Sequence, residues 1–153
     1  MGRFLTTYLW PFLVATLVTT LLSMVISTQR VIGALQDIGA DISLSERLSM
    51  TGYDAFRFGS LFLPFCLIAF LVAMTAASWL KRLKPSLALP LFAGAGFVAM
   101  IIMLRLMKMA FFDVNIVAGA RDLTGYVLIG IAGLIGGVVF WKLVMNQTRK
   151  LTG

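Results

Sequence analysis

Apolar residues come in four long runs, and most of the charge is collected in the short segments between them. The runs cover about 5–27, 60–80, 87–112 and 123–145, each near the roughly 20 residues that a helix needs to cross a hydrocarbon core. The pattern predicts an all-α integral membrane protein: four transmembrane helices in an antiparallel up-down bundle, with 1–153 forming one domain. It assigns a long outer loop to 28–59, a cytoplasmic turn to 81–86 and a short outer loop to 113–122.

Finer patterning places short helices in the long loop. Val31, Leu35 and Ile38 continue the helical spacing of the first run until Gly39 interrupts it. Ser43-Leu44-Ser45-Glu46 reads as a capping box, in which hydroxyl and carboxylate each satisfy a backbone donor of the other residue. It would start a short surface helix carrying Leu44, Leu48 and Met50, and a second cap at Thr51 to Asp54 would then open the second span. In the cytoplasmic turn, Pro85 suits the first turn of the third helix. Pro11, Pro64 and Pro90, each read as near the start of a span, predict mild kinks.

Charge turns this architecture into an orientation. The six acids, Asp37, Asp41, Glu46, Asp54, Asp113 and Asp122, all lie in the two segments assigned outside. Arg3, Lys81, Arg82, Lys84, Lys142, Arg149 and Lys150 stand in the remaining segments without an acid among them. Short basic segments stay cytoplasmic, so both termini are expected inside, in a prokaryotic inner membrane. Tyr8, Trp10, Trp79 and Trp141 fall where an inner aromatic belt belongs. The first run exceeds a usual signal-peptide core and reads as a retained anchor.

Composition then removes whole classes of function. With 60% hydrophobic residues and 12% charged, a bilayer is the natural solvent of the 153-residue chain. The net charge of +7 resides on the inner face, where it implies anionic lipid headgroups as partners rather than nucleic acid. The chain contains no His and a single Cys, Cys66, which reads as a packing thiol. No metal, cofactor or catalytic constellation is therefore expected, and the chain reads as a non-enzyme.

What remains are packing seams and one charged cluster. Thr16, Thr19, Thr20, Ser23 and Ser27 share one side of the first helix, as a polar packing seam or as the lining of a solute path. Ala69, Ala73 and Ala77 repeat every fourth residue of the second helix, and Gly130, Gly133 and Gly137 align on the fourth. Small residues at this spacing let backbones approach, within the bundle or between subunits. Met100, Met103 and Met107 share a face of the third helix and read as adaptable packing. Arg105 stands about 27 Å along that helix from Leu87, near the outer edge of a core roughly 30 Å thick. Arg105 and Lys108 can then snorkel outward or join Asp113, Arg121 and Asp122 in an outer cluster.

The expected function is a small structural or accessory subunit of a larger membrane assembly, partnered by other membrane subunits or by itself. One alternative is a homo-oligomeric channel or transporter subunit for an anion or small polar solute. The other is an enzyme subunit that handles lipid or quinone.

Overall fold

The computed structural model describes residues 2–110 and 117–152, with side chains described over 7–110 and 117–149. It contains four long helices: α1 (Gly2–Asp37), α2 (Leu44–Leu83), α3 (Ala88–Ala110) and α4 (Leu123–Thr152). Short 3-10 turns at Pro85–Leu87 and Ala118–Ala120 precede α3 and α4, and no strand occurs among the described residues. Each long helix is apolar and long enough to cross a membrane. Each of α1 and α3 packs against both α2 and α4, so the helices form a ring around a common core.

The chain between the first two spans is more helical than its pattern predicts. α1 runs to Asp37 and closes on Gly39, whose φ of +89° is open to glycine without a Cβ penalty. Gly39 N–H donates to the Gln36 carbonyl at 2.9 Å and Ala40 N–H to the Leu35 carbonyl at 3.1 Å, a Schellman closure. The capping box at Ser43 forms: Ser43 N–H donates to Glu46 Oε2 at 2.8 Å, and Glu46 N–H donates to Ser43 Oγ at 3.4 Å.

No second cap follows it, because α2 continues unbroken from Leu44 to Leu83. The Thr51 hydroxyl donates to the Arg47 carbonyl at 2.8 Å, a bond back along its own helix. Pro64 is correspondingly deep inside α2, not near its start. Lacking an N–H, it leaves the Ser60 carbonyl without its usual helical donor.

The core is built from side chains of all four helices. Cys66, Phe70 and Met74 of α2 meet Phe92, Met100 and Met103 of α3, and Ile129 and Phe140 of α4. Phe92 and Phe140 pack with ring centroids 5.4 Å apart, tilted at 55°. Met100, Met103 and Met107 are buried here as packing residues. Tyr8, Trp10 and Trp79 are exposed on the helix surfaces, whereas Trp141 packs partly against the core.

Candidate functional site

The hydroxyl stripe of α1 faces the interior. Thr16, Thr19, Thr20, Ser23 and Ser27 are all buried, and Thr28 extends the series. Thr16 and Thr19 donate to the Phe12 and Ala15 carbonyls, both at 2.9 Å, so their polarity is spent within α1. Ser27 instead reaches across: its Oγ accepts from Gly119 N–H at 3.0 Å, tying α1 to the turn before α4. Between these levels, Thr20, turned toward the Cys66 thiol, and Ser23 keep buried hydroxyl oxygens with no well-formed hydrogen bond among the described residues.

Glycines close the seams on either side of α4. A Cβ on Gly133 would collide with the Gly96 carbonyl, and one on Gly137 with the Phe92 carbonyl. Gly130 lies under the Phe97 ring, 2.6 Å from where its Cβ would sit. On the other side, a Cβ on Gly136 would strike the Thr19 hydroxyl and come within 3.0 Å of Phe70. The aligned glycines of α4 therefore serve contacts inside the bundle, where close approach supplies the attraction that lipid-exposed apolar surface cannot.

The alanines of α2 behave differently. Ala77 is buried, while Ala69 and Ala73 are half-buried and line a groove between α2 and α3. Ala95 and Ala99, with Val98, Ile102 and Leu106, form its opposite wall, and the groove has a volume of about 490 Å³ with almost no polar surface.

The polar contacts concentrate at one pole of the bundle. Arg30 of α1 donates to Asp122 Oδ2 at 2.6 Å, the one ion pair among the described residues. Gly125 N–H donates to Asp122 Oδ1 at 2.8 Å, so Asp122 caps α4. That amide and the Arg30 guanidinium hold the Asp122 carboxyl below the usual carboxylate range.

Arg105 is exposed and stacks on the Tyr126 ring, 5.7 Å from its centroid, rather than on an acid. Lys108 is half-buried, Arg121 is exposed, and Asp113 lies outside the described residues. Asp122 makes its ion pair with Arg30, which was not among the predicted members of the outer cluster.

A partly open space between helices is not announced by the sequence pattern. A cavity of about 230 Å³ opens between α1 and α2, reached by Met107 of α3 and by Val117. Its polar wall is Ser27, Thr28 and Asp54, and the Thr28 hydroxyl donates to Asp54 Oδ2 at 3.0 Å. Phe58, Phe62 and Phe65 complete the α2 side, following Asp54 at helical spacing. The chain matches no family model, no curated protein and no solved structure.

Proposed function

We propose that this chain is a non-enzymatic subunit of a larger assembly in a prokaryotic cytoplasmic (inner) membrane, docking a partner's transmembrane helix. The observation that carries this reading is the α2–α3 groove. It lies within the candidate membrane spans, is walled by Ala69, Ala73, Ala95 and Ala99 together with larger apolar side chains such as Ile68 and Ile102, and has about 490 Å³ to fill. Small side chains of that kind let a further helix approach at close range, which is the attraction available in lipid.

The topology proposed with it is up-down, with both termini inside. Contact order supports alternation of the helices. Phe92 meets Gly137 while Arg105 meets Tyr126, and Gly59 lies near Met24 while Asp54 bonds Thr28. The acid-free basic segments around Arg3, Lys81 to Lys84 and Lys142 to Lys150 support the inside assignment. Anionic headgroups of the inner leaflet are proposed partners of those cations.

Purification from native membrane in mild detergent, followed by mass spectrometry, tests the proposal. A stoichiometric membrane-protein partner is expected, and a lone species would overturn it. Liposomes holding the pure chain are expected to stay as impermeable to anions as empty ones; conduction would favour a channel instead.

A further inference from the structure

The cavity between α1 and α2 has in its wall a carboxylate, Asp54, with a single hydrogen bond from the described residues. Asp54 is half-buried in its wall, and no cation among the described residues pairs with it. Its one described hydrogen bond comes from Thr28, whose hydroxyl lies 3.0 Å from Asp54 Oδ2 and also 3.0 Å from the Met24 carbonyl. A hydroxyl has one hydrogen, so the two acceptors share it. Asp54 Oδ1 accepts nothing from the described residues.

The rest of the wall is of opposite character. Phe58 and Phe62 follow Asp54 on the same side of α2, and Met24 of α1 and Met107 of α3 line the space with them. Aromatic faces attract cations through the ring quadrupole. Apolar side chains stabilise hydrocarbon and leave an unpaired carboxylate costly. A neutral alkyl guest would add to that cost, an anion would be repelled, and a metal ion would find a single carboxylate ligand. Only a cation with an apolar body satisfies both halves of the wall.

We propose that this cavity binds a protonated amine carried on an apolar chain, with the ammonium on Asp54 and the first carbons between Phe58, Phe62 and Met24. At about 230 Å³ the cavity is smaller than the 300–1,000 Å³ typical of pockets for drug-sized ligands, so the remainder of the chain continues into lipid. The ammonium can come from the headgroup of an aminophospholipid or from a free amphiphilic amine.

The test uses the full chain in uncharged maltoside micelles, with binding of decylammonium and decanol read by native mass spectrometry. The parent protein is expected to bind decylammonium about tenfold more tightly than Asp54→Asn does, while decanol binds both weakly and equally. Equal affinity of parent and Asp54→Asn for decylammonium, or decanol binding as tightly as the amine, would overturn the site. Should Asp54→Asn fail to fold, Asp54→Glu and Phe58→Leu carry the test: the first is expected to retain amine binding and the second to weaken it severalfold. Loss of binding in Asp54→Glu or undiminished binding in Phe58→Leu counts against the proposal. Competition by phosphatidylethanolamine assigns the site to a lipid headgroup, and its failure assigns the site to free amines; either result upholds ammonium as the recognised group.

Discussion

α4 meets its neighbours across backbone, whereas α2 meets α3 across a furrow. On the first side Gly133 and Gly137 lie against the Gly96 and Phe92 carbonyls, with no room for even a methyl group. On the second, Ala69, Ala73, Ala95 and Ala99 leave about 490 Å³ between the helices. Glycine and alanine both count as small residues in a sequence, yet here they do different jobs. In lipid, helices separate unless their own surfaces attract, and the van der Waals attraction of a 6–12 contact falls by a quarter to a half over a 0.5–1 Å gap. The glycine seams can thus hold the bundle, while the alanine furrow contributes little to it and is free to meet something else.

The largest effect that would break this comparison belongs to Gly133→Leu. Its side chain has to enter the space of the Gly96 backbone and Met100, so about 3 kcal/mol of destabilisation is expected, measured by unfolding in mixed micelles. Stability equal to that of the parent would mean that the seam is not closed as described. Ala73→Leu is the counterpart. Its added carbons enter the furrow, so stability should change by less than about 0.5 kcal/mol while co-purification of a partner is lost. A loss of stability as large as that of Gly133→Leu would show the furrow to be part of the bundle's own packing.

The smallest effect sharpens the picture at the rim of the α1–α4 seam. Asp122 has its folded-state pKa depressed, first by the Gly125 amide and then by Arg30. Its contribution is therefore complete above the ordinary aspartate value of about 3.9 and disappears as pH falls through the lower folded-state value. Stability of the parent should show an acid limb between those two values that Asp122→Asn lacks. Superimposable pH curves would remove the ion pair and cap from the account of this seam.

Much of this was legible in one dimension. Run length in lipid is a strong signal, and the capping box at Ser43 and the stop at Gly39 are local backbone chemistry that neighbours in sequence decide. Thr51 misled because a hydroxyl that could cap a helix can equally bond back to the Arg47 carbonyl within one. The partner of Asp122 was not legible, because Arg30 reaches it only through the packing of α1 on α4. Gly133 and Gly137 were visible as a close-approach motif, but which helix they face depends on rotation about the helix axis, which spacing alone does not set. Asp54 was hidden for a related reason: its contact with Thr28 and its place in the cavity wall depend on how α2 packs against α1, which spacing alone does not set.

α1 and α2 also continue past the level of Arg30 and Asp54, to Asp37 and from Leu44, by about 10 and 15 Å at 1.5 Å per residue. Arg47 hydrogen-bonds Gln36 across the two arms, so they are joined near the tip. The tip carries Asp37, Asp41 and Glu46 against the single cation Arg47. At physiological ionic strength the Debye length is about 8 Å, shorter than either projection. The tip is thus an acidic knob on a helical stalk, screened from the charges at its base, and whatever approaches it in water meets its negative field before that of the ion pair below.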